Sequence, residues 1–356
     1  MLGNIYEAKP RYELLDELLE DFITNISFTN SVNIIVDVKQ IYRKIFRSSY
    51  VLDNNSNSYL AMEAQRITSD ILGIIGHYRN YFYKKHKYTN FYFLNSSKEC
   101  ELLKALNPEY KKDFYQKYFY SEEKEHKDKL ILIQKCTKAL ELFVNMFPHC
   151  KFIATDDFDE FLYTKNIVKE SNRNELNVIL SNDEKMFQLL DTNVVCLTIS
   201  GLDTKAVTTK NLYKYFDVDT TLDYGLFSHV LAIAGNNRYS IKGVPGFKFK
   251  KSIKMIETLI ETNQIQNTKY EIFALTEQMF DSSDKQQQKV IENLNIIKNN
   301  FEIFALNYTY NTNYMQINSK MIDVPKIYSI QEFEKINNTV FTNYPLDLFK
   351  MLRGEL

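Results

Sequence analysis

A chain of 356 residues with 44 basic and 45 acidic side chains is close to neutral, so any polyanion site on it must be a local patch. Hydrophobic residues make up 44%, enough for a full core, which excludes an extended unstructured chain. Cys100, Cys136, Cys150 and Cys196 stand far apart with no C-x-x-C pair, no apolar run approaches a membrane span, and the N-terminus lacks a signal-type apolar region; the expectation is a soluble cytoplasmic protein with free thiols and no membrane partner.

In chain order, "YELLDELLEDFI" (Tyr12–Ile23) places Leu15, Leu19 and their neighbours on one stripe and predicts an amphipathic helix. "VNIIVDV" (Val32–Val38) is a continuous β-branched run, the pattern of a strand buried on both faces. Four more short apolar runs follow: Asn90–Asn95, Lys151–Thr155, Asn177–Ser181 and Val194–Ile199. Helical patterns separate them at Ala61–Phe82, Lys129–Phe147, Asp157–Glu170 and Asp183–Leu190. Strand–helix alternation predicts an α/β fold with a mostly parallel sheet flanked by helices. Ligands of such sheets bind at the carboxyl ends of the strands. That edge collects Asp37, Asn95, Asp156, Asp157 and Asp183, oxygen donors suited to Mg²⁺ or Mn²⁺. His77, His86 and His149 are read as surface or core residues.

Between the second strand and the next helix, "ECELLKALNPEYKKDFYQKYFYSEEKE" is too polar for a core and too long for a simple loop. Tyr110, Lys112, Lys117 and the tyrosines between them read either as a surface for a nucleic-acid strand or as a solvated helical hairpin. From Leu231 the chain reads as helical to near Asn300, interrupted by the turn Gly243-Val244-Pro245-Gly246. Around that turn Arg238, Lys242, Lys248, Lys250, Lys251 and Lys254 form a basic run without an acid from Asn236 to Met255. The expected organisation is an N-terminal extension (1–30), an α/β core (31–230, with a projecting arch at 96–128), a helical duplex-binding region (231–300) and a C-terminal segment (301–356).

The order of these pieces resembles the flap endonuclease and phage 5′–3′ exonuclease family, of the phage ribonuclease H type, over about Val32–Glu257. "NIIVDVKQIYRKIF", "FYFLNSSKE…LNPEYKKDF", "FIATDDFDEFLY", "VILSNDEKMFQLL" and "AIAGNNRYSIKGVPGFKFKKS" are similar to the family's blocks in the family's order. The resemblance implies a PIN-like nuclease fold with a helical arch and a helix-turn-helix subdomain. It also implies cleavage near 5′ ends or flaps with two divalent ions, and partners that are DNA with a 5′ flap or a single/double-strand junction. The implied setting is phage DNA replication or repair in a host cytoplasm. Asp37, Asp156, Asp157 and Asp183 match metal acids, Tyr110 and Lys111 match residues near the scissile phosphate, and Gly243–Gly246 matches the duplex grip, where K⁺ would also bind.

The chain departs from the pattern in a consistent direction. Asn95, Ala154, Lys185, Asn236 and Tyr239 stand where the family has acids, and Lys248 replaces a glycine that would crowd phosphate approach less. A lysine beside a divalent ion costs several kcal/mol at an effective dielectric of about 20. At most one divalent ion is therefore expected, and two readings stand: a structure-specific nucleic-acid binder with weak or lost nuclease activity, or an active nuclease with a rearranged or one-metal site using Asp159, Glu160 or Glu184. A third, a scaffold that touches no nucleic acid, conflicts with the basic run. In the tail, "PLDLF" (Pro345–Phe349) resembles the peptide with which replication proteins hold a sliding clamp, with Leu346, Leu348 and Phe349 as its apolar anchors; the bland alternative is a helix packed on its own domain.

Overall fold

Six strands form the sheet of the computed structural model: β1 Ser31–Asp37, β2 Tyr88–Ser96, β3 Cys150–Thr155, β4 Leu176–Leu180, β5 Val194–Leu197 and β6 Ala206–Val207. Described are residues 12–24, 31–38, 73–85, 87–96, 101–112, 137, 141, 144, 149–155, 160–198, 204–268 and 275–304. The strand order is β3-β2-β1-β4-β5-β6, parallel throughout except for β6. All five strands expected from the sequence are present within two residues of their expected ends. The short β6 carries no sequence signal.

β1 lies between β2 and β4, where the chain turns from building one side of the sheet to building the other. A binding crevice opens at such a reversal, outside the carboxyl ends of the strands. β1 from Val32 onward, β4 and β5 are buried along their length, which explains their unbroken apolar runs. Burial pushes the Cys150 thiol up to about 11 and raises that of Cys196 as well, so both stay protonated thiols at neutral pH.

An asparagine ladder crosses the three central strands. Asn33 pairs in register with Asn90 and with Asn177. Asn90 Nδ2 donates to Asn33 Oδ1 (3.0 Å), and Asn33 Nδ2 donates to Asn177 Oδ1 (3.1 Å). Asn177 Nδ2 donates on to Ser171 Oγ at 2.9 Å. A slip of one residue would bury these amides without partners and turn every side chain to the wrong face. The ladder therefore pins the register that brings Asp37 level with Leu94.

The described residues fall into two compact units, one drawn from 12–96 and 137–208 and the other from 101–112 and 209–304. In the first, the helix Tyr12–Thr24 forms as expected and buries Leu15 and Leu19 completely. The helix expected at Asp157–Glu170 is described over Glu160–Glu170. The Asp183–Leu190 helix is instead a 3₁₀ segment, Glu184–Leu189. No described helix is long and apolar enough to cross a membrane.

The second unit begins at Thr209, before the expected 231, and takes in the start of the expected arch. Its chain is not continuously helical after Leu231. The helix Phe227–Ala234 ends at Gly235, a two-stranded hairpin (β7 Gly235–Asn236, β8 Ile241–Lys242) follows, and helices Phe249–Glu261, Lys285–Glu292 and Leu294–Phe304 come after it. Asn300, buried in the last helix, donates to Ala232 O (3.0 Å) and Lys242 O (2.8 Å). That one amide ties the last helix to the first and to the hairpin.

Candidate metal edge and nucleic-acid grip

At the carboxyl edge of the first unit, Asp37 ends β1 and Ser181 follows β4. Asp37 is 4% exposed, and its Oδ2 accepts from Ser181 Oγ at 2.9 Å. The same hydroxyl oxygen accepts from Asp183 N at 3.0 Å. Asp183 Oδ1 in turn accepts from Lys185 N at 2.9 Å, capping the 3₁₀ segment. One short turn, Ser181-Asn182-Asp183, therefore holds two buried carboxylates in fixed relation. Ser181 is not among the site residues expected from the sequence; its position directly after an apolar strand and two residues before an aspartate is the signal. Asn95 is also buried at this edge, at the end of β2. Asp156, Asp157 and Asp159 lie outside the described residues.

Lys185 is completely buried. Its ammonium lies 5.1 Å from the centre of the Phe161 ring, in the first turn of the helix that follows β3. A lysine thus stands where the family pattern has an acid, with an aromatic face beside its amino group. Among the described residues no group of three or more His, Cys, Asp or Glu side chains could hold a metal. The oxygen donors present, Asp37, Asp183 and Asn95, suit a hard divalent ion. The expectation from the sequence of at most one such ion rests on Lys185, whose charge would oppose a second. Titration calorimetry with Mn²⁺ is expected to give no more than one ion per chain, whereas two ions bound with similar affinity would refute this reading.

In the second unit the turn is folded against the end of the preceding helix. Val244 N donates to Ile233 O at 2.9 Å. A Cβ on Gly243 would lie 2.2 Å from the carbonyl carbon and oxygen of Ala234, and one on Gly235 would lie 2.3 Å from Gly243 N. Backbone meets backbone here, so both positions require glycine. Gly246 differs: its φ is +83° and nothing lies within 4 Å of where its Cβ would be, so only its conformation favours glycine. Lys248 is exposed with φ −100°, an ordinary backbone for a lysine. Its exposed side chain adds charge, and the crowding expected there does not arise from its backbone.

Lys242, Lys248, Lys250 and Lys254 are exposed, and Arg238 and Lys251 are half-buried. Lys251 lies 4.3 Å over the Phe247 ring, which holds its ammonium at the start of the Phe249–Glu261 helix. That helix has no acid in its first turn. Its first N–H groups and the lysines around them concentrate positive charge at the helix start.

The arch residues behave differently from expectation. Tyr110 is not displayed to stack on bases: its ring stacks on Tyr239 within the same unit, centroids 5.7 Å apart and 7° from parallel. Lys111 is 6% exposed, with its ammonium 5.2 Å from the Tyr110 ring and 5.5 Å from that of Tyr239. Lys111 N also donates to Tyr239 O at 2.7 Å. The physical reason is Tyr239, whose flat apolar face at an acid position of the pattern gives Tyr110 something to pack on. Lys112 is exposed and ion-paired to Glu109 at 2.9 Å. Lys117 and the tail anchors Leu346, Leu348 and Phe349 lie outside the described residues.

An open parallel sheet with an acid-bearing switch point, followed by a helical unit with a glycine turn, is the flap endonuclease/5′–3′ exonuclease fold, and the chain has it. No protein-family model matches the sequence, and no characterised protein matches it closely. Solved structures do. The bacteriophage T5 flap endonuclease co-crystallised with metal ions superposes with a TM-score of 0.56 at 14% identity, over 89% of this chain and 98% of that one. The T5 5′-exonuclease with bound zinc gives 0.54 at 14% identity, over 87% and 98%. An aspartate-to-lysine variant of the T5 enzyme, a pseudo-enzyme–product complex with DNA and metal ions, gives 0.55 at 16% identity, over 90% and 98%.

Proposed function

We propose that this chain is a structure-specific nucleic-acid-binding protein of the flap endonuclease fold, serving phage DNA replication or repair, with nuclease activity weakened or lost. The observation that carries this reading is the completely buried Lys185, two residues after the buried Asp183. Phosphoryl transfer by two ions needs a clamp of divalent cations on the attacking and leaving oxygens. A lysine at an acid position of the pattern would compete with the second cation and cannot supply a metal-bound nucleophile. The aspartate-to-lysine exchange in the T5 pseudo-enzyme complex is the same type of change. The grip reading, by contrast, is supported by the close approach of Gly235 and Gly243 and by the exposed lysines around the turn. Mg²⁺ or Mn²⁺ at the Asp37 edge, and K⁺ at the Gly243–Gly246 turn, would then organise and bind phosphates. Asp37 and Asp183 would orient the first ion, with Ser181 donating to the Asp37 carboxylate and accepting from the Asp183 backbone N–H.

The preferred ligands are DNA with a 5′ flap or a single-to-double-strand junction. The test is a labelled 5′-flap DNA assayed for cleavage with Mg²⁺ or Mn²⁺ beside an anisotropy measurement of binding. Tight binding with little or no cleavage is the expected result; turnover at ordinary nuclease rates would favour a rearranged site. One observation favours that second reading: Glu160 is buried, 4% exposed, beside Phe161, where it could replace a missing ligand. In the same assay, Lys242→Ala with Lys248→Ala, Lys250→Ala and Lys254→Ala should weaken binding. It should also flatten the plot of log affinity against log salt by about 0.9 for each phosphate no longer neutralised. An unchanged slope would remove the patch from the interface. For the tail, a peptide of residues 342–356 binding a replication sliding clamp would establish that further partner.

A further inference from the structure

Two large aromatic side chains of the first unit stand out into solvent, far from the carboxyl edge. Tyr83 is 72% exposed and Tyr88 is 67% exposed; among the described residues only Ile296, at 39%, joins them as an exposed large hydrophobic. The tyrosines bracket the turn "YKKHKY", which joins the helical residues 73–83 to β2. Its described residues are tied to the helix end, because Lys85 N and Lys87 N both donate to Phe82 O, at 3.0 and 2.9 Å, and Phe82 is completely buried. No acid occurs in the sequence from Ile71 to Lys98. Asp16 of the N-terminal helix pairs with Lys85 at 2.5 Å and accepts from the Tyr81 hydroxyl at 3.1 Å. That contact fixes the turn while leaving Lys84 exposed and Lys87 half-exposed.

We infer that this turn is a second nucleic-acid contact, for a single strand, at the opposite edge of the sheet from Asp37. It rests on the nucleic-acid reading above. Two tyrosine faces flanking a lysine-rich turn suit bases on either side of a run of phosphates, and base–aromatic stacking is tolerant of sequence. The exposed residues of the turn include no aliphatic side chain, which a protein-docking surface would need at its centre. The register runs from Ser31 opposite Tyr88 to Asp37 opposite Leu94. At roughly 3.3 Å per residue, these six steps place the contact about 20 Å along the sheet from the carboxyl edge, a span of several nucleotides.

The chain contains no tryptophan, so Tyr83→Trp introduces a single reporter that keeps a stacking face. A short oligothymidylate is expected to quench its fluorescence, and adding Tyr88→Ala should weaken that response about tenfold, the worth of one base stack. Quenching that persists when Lys242 and Lys254 are replaced by Ala would show a site independent of the duplex grip. The proposal is overturned if anisotropy shows the labelled oligonucleotide bound while the reporter stays silent, or if polyglutamate quenches equally, which would make the turn a patch of charge alone. Failure of every DNA to bind in the anisotropy assay would instead defeat the nucleic-acid reading, and this inference with it.

Discussion

Lys185→Asp is expected to make the protein depend on divalent ions for its stability. Lys185 is completely buried beside Asp183, itself 5% exposed. The substitution removes a buried cation and adds a second carboxylate next to the first. Removing one charge from a buried arrangement typically costs about 3–5 kcal/mol. In chelator the variant should therefore melt well below the parent. Added Mn²⁺ supplies the missing positive charge, and at 100 times its Kd it returns about 2.7 kcal/mol. The parent should respond much less, because it lacks the added carboxylate. Lys185→Met separates charge from shape, keeping most of the volume but supplying no new ligand, so its metal response should fall between the two. Differential scanning fluorimetry of the three proteins in EDTA and in Mn²⁺ reads this directly. An aspartate variant as stable as the parent in EDTA, with no gain from Mn²⁺, would show that Lys185 is not the resident cation of this edge. Full flap cleavage is not expected even with the metal, since Asn236 and Tyr239 still stand at acid positions of the pattern.

Gly243→Ala should disrupt the helical unit, while Gly246→Ala, three residues on, should be mild. At Gly243 the added methyl meets the Ala234 carbonyl at 2.2 Å and Gly235 N at 2.6 Å, all of it backbone. Nothing there can rotate away. The helix end and the hairpin must separate, which also strains the Asn300 bonds to Ala232 O and Lys242 O. A loss of about 3 kcal/mol or more is expected, the upper range for overpacking. At Gly246 the space is open and the only penalty is its positive φ, about 1 kcal/mol. Thermal melts by circular dichroism should separate the two variants by several degrees. DNA affinity should fall sharply only for Gly243→Ala. Equal effects would mean that the close approach of Gly235 and Gly243 is not what the turn requires.

The fold was legible because its strands are buried on both faces. Val32–Val38 and Asn177–Ser181 carry unbroken apolar runs that few other elements produce, and their order with the intervening helices specifies a parallel sheet. The glycine turn was legible for the same local reason, since its chemistry is written in four consecutive residues. The hairpin between Gly235 and Lys242 was not, because "GNNRYSIK" has too few apolar residues to show a strand period. The short 3₁₀ segment reads as a full helix in the sequence, since a six-residue stretch cannot distinguish the two by periodicity.

The resemblance to the family implies that Asn95, Lys185, Asn236 and Tyr239 replace acids, and by itself the sequence determined the sheet, the positions of Asp37 and Asp183 at its carboxyl edge, and the lysine-rich turn. Each follows from residue type and short-range order. The tertiary structure alone decided that one hydroxyl, Ser181, joins the Asp37 carboxylate to the backbone N–H of Asp183, that Lys185 is sealed from solvent with its amino group over Phe161, and that Tyr110 stacks on Tyr239 rather than facing solvent. Those outcomes depend on residues 24 to 144 positions apart in the chain, and burial and stacking are properties of the partners a side chain meets, which no local pattern encodes.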